Sequence, residues 1–238
     1  MKFIFVKLFY ILLSSFFILS CGDQKDRSET SQTSSERGNL HLFLVRHAQA
    51  FKNLNPLPDL PAGQLDSLTA VGELQAAALG RYLKDKSINA IYASPAGRTR
   101  QTAEIIREKA GIADTVIVEQ NLISLHKGYM SVTTSQDANQ GKNDMNVRQG
   151  EGETLADGQQ RVIQLIDWLR KQASAQTVVF VTHGDICLAL LAYAGATPLS
   201  AADSLHTVPA GSVSELKITP TEWTIKSEGV VPAQQSSP

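Results

Sequence analysis

Two cysteines in 238 residues rule out a disulfide framework and a zinc site built from cysteine alone. An excess of charge of either sign is also missing. Twenty-two Lys and Arg stand against 23 Asp and Glu, a net charge of −1, so no overall basic field supports a nucleic-acid partner. Aromatic residues make up only 6% of the chain, yet six of the fifteen lie in the first seventeen positions. There is no internal repeat. The length suits one or two domains and can bury a sizeable core.

The aromatic-rich front is MKFIFVKLFYILLSSFFILSC. Lys2 and Lys7 supply a positive start, and the twelve residues Leu8 to Leu19 are interrupted only by Ser14 and Ser15. Twelve helical residues reach ~18 Å, short of the ~30 Å hydrocarbon core of a bilayer. Residues 1–20 therefore read as a signal peptide rather than a transmembrane helix. Ile18-Leu19-Ser20-Cys21-Gly22 resembles a bacterial lipobox, which implies that Cys21 becomes a lipidated mature N-terminus carrying acyl chains such as palmitate. Residues 22–38, GDQKDRSETSQTSSERG, hold no large apolar side chain and cannot bury enough surface to fold. Residues 21–38 thus read as a disordered tether of ~20–25 Å root-mean-square reach. The expected location is the bacterial cell envelope, with a membrane held through the lipid.

From Leu40 onward apolar runs alternate with helix-period segments. Leu40 to Val45, Ile88 to Ala93, Thr115 to Val118 and Thr177 to Thr182 read as buried strands. Thr69 to Lys84, Arg98 to Ala110 and Leu155 to Lys171 read as helices. The first helix is expected to bury Val71, Leu74, Ala78 and Tyr82, and the last Val162, Leu165, Ile166 and Leu169. Gly111 and Gly195 are plausible helix stops. Ser212 to Ile218 and Glu222 to Lys226 read as closing strands, antiparallel at the edge. The expected class is α/β, a three-layer αβα sandwich on a mainly parallel sheet. One folded domain spans 39–229, with a disordered tail over 230–238.

In such folds ligands sit beyond the carboxyl ends of strands. Arg46-His47 follows the first strand, with Asn53 six residues after the histidine. Ser94-Pro95-Ala96-Gly97-Arg98 follows the second, and His183-Gly184-Asp185 follows Thr177 to Thr182. Two guanidiniums and two imidazoles around one point suit a dianionic phosphoryl group, which Arg forks bind in paired hydrogen bonds. A neutral imidazole can act as in-line nucleophile, while the remaining donors stabilise charge on the phosphoryl oxygens. No metal is expected, because His47 and His183 lack acidic or Cys co-ligands at familiar spacing, and no cofactor is implied. Arg100, His41 and His206 are assigned no chemistry.

These residues resemble the histidine phosphatase superfamily, also called phosphoglycerate mutase-like. Its Arg-His-Gly start appears as Arg46-His47-Ala48, with Ala for Gly. Asp66-Ser67-Leu68-Thr69-Ala70-Val71-Gly72 with Gln75-Ala76 is similar to its D-x-x-LT-x-x-G-x-x-QA signature. Arg98 matches its second arginine, Gly152-Glu153-Thr154 with Arg161 its G-E-[ST] helix start, and His183-Gly184 its second histidine. The resemblance implies that His47 is the nucleophile and that Arg46, Arg98, His183 and Asn53 bind phosphate. It also implies a general-acid Glu in a loop after the third strand, where this chain has Ser124. Asp185 and His126 are the two candidates for the missing acid, with Glu119 and Glu151 behind them. A leaving group good enough to need no acid is the further option. The polar stretch Ser131 to Arg148 is expected to cover the mouth and set specificity; Lys127, Lys142 and Arg148 read as solvated loop charges, with attraction of an anionic substrate as the alternative.

The resulting expectation is an exported, lipid-anchored phosphatase acting on a small phosphorylated substrate through phosphohistidine. A phosphoglycerate mutase-type transferase and a non-catalytic phospholigand-binding lipoprotein are the alternatives.

Overall fold

A computed structural model describes residues 38–126, 151–172, 176–200 and 207–234. The signal peptide, Cys21, most of the tether, the stretch 127–150 and His206 lie outside the described residues. Six strands form one sheet: β1 (Leu40–Arg46), β2 (Ala90–Ala93), β3 (Ile117–Val118), β4 (Gln176–Thr182), β5 (Val213–Ile218) and β6 (Trp223–Val230). Their spatial order is β3-β2-β4-β1-β5-β6. The first four are parallel, and β5 and β6 add an antiparallel edge. The helices are α1 (Ala62–Leu65), α2 (Ala70–Leu83), α3 (Gly97–Ala110), α4 (Leu155–Gln172) and α5 (Gly184–Ala194). The expected α/β sandwich is the observed fold.

The near-continuous apolar runs of β1 and β4 are explained by burial on both faces. Alternate residues point to opposite layers. Phe43, Val45, Val179 and Val181 join Leu79, Leu83, Ala103 and Ile106 of α2 and α3. Leu42, Leu44, Val178 and Phe180 join Leu155, Val162, Ile166 and Leu190 of α4 and α5. All four core positions expected of α4 are buried.

The expected face of α2 needs correction. Ala78 is buried and Tyr82 packs against the core as expected, but Val71 and Leu74 are 46% and 43% exposed, and Gly72, Ala76, Leu79, Gly80 and Leu83 are buried instead. A Cβ on Gly80 would lie 2.6 Å from Lys109 Cβ and 3.0 Å from the Ile106 carbonyl oxygen of α3. Gly80 is where the two helices approach most closely, so a count of large apolar residues misplaces Val71 and Leu74. The last strand is longer than the expected Glu222 to Lys226, since β6 runs through Val230. The Gly38 carbonyl accepts from Arg170 Nε at 2.7 Å.

Candidate active site

The carboxyl ends of β1, β4 and β2 lie side by side, because β4 inserts between β1 and β2. Backbone pairing continues just past each strand. His47 N donates to Thr182 O at 2.9 Å, Arg46 N to Ser212 O at 3.1 Å and Ser94 N to Val181 O at 3.0 Å. The side chains that follow therefore leave rigid strand ends and meet in one cleft of about 310 Å³. Arg46, His47, Lys52, Asn53, Arg98, Ser124, His183 and Asp185 contribute to its lining.

Arg98 organises the centre. Its Nε donates to His47 Nε2 at 3.1 Å and its Nη2 to His183 Nδ1 at 2.8 Å. Its Nη1 pairs with Asp66 Oδ1. The two imidazoles are 5.5 Å apart, edge to face. Because guanidinium nitrogens only donate, the network assigns both tautomers. His47 Nδ1 donates to the Ala48 carbonyl at 2.8 Å, so its Nε2 keeps a lone pair. His183 has the opposite tautomer, with Nε2–H donating to Ser94 Oγ at 2.8 Å.

Both rings are 4% exposed, and burial dominates their titration. It carries His47 down from 6.5 to about 4, with Arg98 and Arg46 adding to the effect and the Ala48 carbonyl opposing it. Burial likewise lowers His183 to about 2, with Arg98 next in importance. The folded protein thus holds two neutral imidazoles at neutral pH, one of them with an unprotonated Nε2.

This has a consequence for stability. Below pH 6.5 the unfolded chain takes up protons that the folded state refuses, so the two histidines' contribution is constant above that pH and falls below it, down to about 4 for His47 and about 2 for His183. At pH 5 each histidine should cost about 2 kcal/mol, at about 1.36 kcal/mol per unit of pKa difference. Urea titrations at pH 7 and pH 5 should show this loss, and His183→Gln should be less acid-sensitive than the parent. An equal acid response in the two proteins would mean that His183 is protonated in the folded state.

The motif around Asp66 braces this centre. Asp66 Oδ2 accepts from Gly97 N at 2.6 Å, supplying the N-terminal cap that Ala96 cannot make, while its other oxygen holds Arg98. Thr69 caps α2 through Gly72 N at 3.0 Å and donates to Gln49 Oε1 at 2.8 Å. Gln75 Oε1 accepts from Gln49 N at 2.9 Å. Gly72 lets the Gln49 carbonyl reach the helix, since a Cβ there would lie 2.0 Å from that oxygen. Ala48 stands where the resemblance has Gly, but it is not at positive φ, so its methyl group is accommodated. Its N–H donates to Thr102 Oγ1 at 3.1 Å.

Arg46 Nη1 donates to the Val208 carbonyl at 2.7 Å, and its Nε is buried with no partner among the described residues. A Cβ on Gly184 would come within 3.2 Å of Arg46 Cζ and Nε, which explains why glycine follows His183. Asn53 lines the cleft while its Oδ1 accepts from Ala50 N at 2.9 Å.

The two acid candidates differ in position. Asp185 lines the cleft. His126 is exposed and outside that lining, with its N–H donating to Glu153 Oε2 at 3.1 Å. Glu153 is held by Arg161 through two 2.9 Å bonds, and that ion pair pulls its carboxyl below the usual range. Arg100 is exposed, and His41 pairs with Glu215 at 2.9 Å. Sequence reading passed over Asp66 and Ser94 as members of the site. Asp66 already stood in the quoted motif; nothing in the sequence pattern singles out Ser94.

Residues 42–230 match the family described as histidine phosphatase superfamily (branch 1). The protein named probable phosphoglycerate mutase GpmB from Escherichia coli strain K12 / DH10B is 33% identical over 153 residues, covering 61% of this chain and 70% of that protein. Bacillus stearothermophilus YhfR superposes with a TM-score of 0.69 at 27% identity, covering 81% of this chain and 98% of that one. A mycobacterial glucosyl-3-phosphoglycerate phosphatase, solved with VO3, superposes with a TM-score of 0.62 at 25% identity, covering 78% and 97% respectively.

Proposed function

The chain belongs to the histidine phosphatase superfamily, and from that membership we propose that it is a phosphatase hydrolysing small phosphate esters through phosphohistidine on His47. The observation that carries the proposal is the unprotonated Nε2 of His47 held within reach of Arg98 at the edge of a cationic cleft. A neutral imidazole beside fixed guanidiniums is a competent nucleophile toward a dianion that those guanidiniums neutralise.

In the first half-reaction Nε2 attacks phosphorus in line, the P–O bond breaks, and the leaving oxygen takes a proton. In the second, water attacks phosphorus, the P–N bond breaks and its electron pair returns to Nε2. Arg98 is bonded to both imidazoles in the free site. On substrate binding its Nε–H and Nη2–H turn from the ring nitrogens to phosphoryl oxygens, which frees the His47 lone pair. Arg46, His183 and Asn53 complete the clamp. Asp66 keeps Arg98 oriented throughout.

The name of the mycobacterial neighbour favours hydrolysis, and that of the Escherichia coli relative a mutase. We place the protein in the cell envelope, held there through Cys21. That address favours hydrolysis, since mutase chemistry draws on cytosolic intermediates.

Purified protein should hydrolyse 4-nitrophenyl phosphate and be inhibited by vanadate. Acid quenching during turnover of 32P-labelled phenyl phosphate should trap little label, and alkaline quenching should preserve a phosphoprotein. Absence of both hydrolysis and label across pH 5–8, with phosphate still bound, would favour the binding lipoprotein instead.

A further inference from the structure

The position at which the resemblance leads one to expect a Glu holds Ser124, and this serine is not isolated. Its Oγ donates to Asp185 Oδ2 at 2.5 Å. The same oxygen accepts from Leu125 N at 2.8 Å, and Oδ1 from Ile186 N at 2.9 Å. Both side chains line the cleft that holds His47 and Arg98.

The segment bearing Ser124 is braced from several sides. Arg161 donates to the carbonyls of Asn121 at 2.5 Å and Ile123 at 3.0 Å. Thr182 Oγ1 donates to the Leu122 carbonyl at 2.7 Å. Glu153 N donates to the His126 carbonyl at 2.6 Å. Rigid support of this kind is what a positioned reacting group requires. Asp185 accepts from three donors here, and the Ser124 hydroxyl, its hydrogen directed to the carboxylate, keeps oxygen lone pairs that can accept a further hydrogen bond.

We propose that Ser124 and Asp185 form a relay that activates the water of the second half-reaction; the proposal rests on the phosphohistidine reading above. Water between Ser124 Oγ and phosphorus gives its proton to Oγ as Ser124 passes its own proton to Asp185 Oδ2. The water oxygen forms the new P–O bond, the P–N bond breaks, and its electron pair returns to His47 Nε2. The proton on Asp185 then leaves to solvent as phosphate departs. The first half-reaction receives no help from the relay, so the leaving oxygen takes its proton from solvent. This selects substrates with weakly basic leaving oxygens, such as aryl phosphates.

The test is stopped-flow hydrolysis of 4-nitrophenyl phosphate by the parent and by Ser124→Ala, Asp185→Asn and Ser124→Thr. The expected result for Ser124→Ala and Asp185→Asn is a burst near one nitrophenolate per site at the parent's rate. Steady turnover should then be about 10²-fold slower, in line with the loss of a general base, and alkali-stable phosphoprotein should accumulate. Ser124→Thr, which keeps the hydroxyl, should stay within about threefold of the parent. The burst itself reports that each variant is folded. Turnover by Asp185→Asn at the parent's rate would reduce Asp185 to a positioning role and overturn the relay, as would an unimpaired Ser124→Ala. If the parent forms no phosphoprotein at all, the phosphohistidine reading falls and the relay with it.

Discussion

Replacing His47 with Ala should remove turnover, by on the order of 10⁴-fold or more, because deletion of a nucleophile leaves only binding and charge stabilisation. The effect should sit in kcat. Arg46 keeps its hold on the Val208 carbonyl, and Arg98 keeps both Asp66 and His183. The variant should therefore still bind inorganic phosphate or vanadate within a few-fold of the parent, measured by calorimetry. It should also form no phosphoprotein, because the other buried imidazole, His183, presents a protonated Nε2 to Ser94. Activity that survives the substitution would remove His47 from the mechanism. Loss of both activity and phosphate binding would instead show that His47 serves chiefly to hold Arg98.

The largest expected effect on stability comes from a residue that touches no substrate. In Gly72→Ala the new methyl group would sit 2.0 Å from the Gln49 carbonyl oxygen and 3.0 Å from its carbon. These are backbone atoms that Thr69 also engages, with its N–H donating to that oxygen at 3.0 Å. Neither side can yield without breaking the seam between α2 and the segment after His47. A loss of about 3 kcal/mol or more is expected, at the upper end of overpacking costs. For a domain of this size that corresponds to a melting temperature lower by roughly 6–12 °C. Gly63→Ala is the matched control, since its Cβ would meet nothing within 4 Å; it should be neutral or slightly stabilising. Equal melting temperatures for the two variants would show that the seam is not tightly packed. Because Gln49 lies two residues beyond His47, Gly72→Ala should lower turnover as well.

Much of the architecture was legible from apolar pattern alone. Runs such as LHLFLV and TVVFVT have no polar face to show, and in the sheet they are covered on both sides. The core stripe of α4 could be read directly because large side chains fill it. The stripe of α2 was only partly legible, because that helix meets α3 at Gly80 and the segment after His47 at Gly72, whose contribution is closeness rather than bulk. Short β3 and the extension of β6 through Val230 depend on hydrogen bonds from neighbouring strands, which no local pattern records.

The candidate site divides along the same line. The sequence by itself determined which residues leave the ends of β1, β2 and β4, because strand-end position follows from the apolar runs that precede it. It also carried Asp66, Thr69, Gly72 and Gln75 as one motif, without saying what they hold. Only the tertiary structure decided that Arg98 bonds both imidazoles, that His47 and His183 are opposite tautomers, and that Ser124 pairs with Asp185. The reason is physical. Tautomer, protonation and proton partner are set by burial and by donors brought from distant parts of the chain, sixty-one residues away in the case of Ser124 and Asp185.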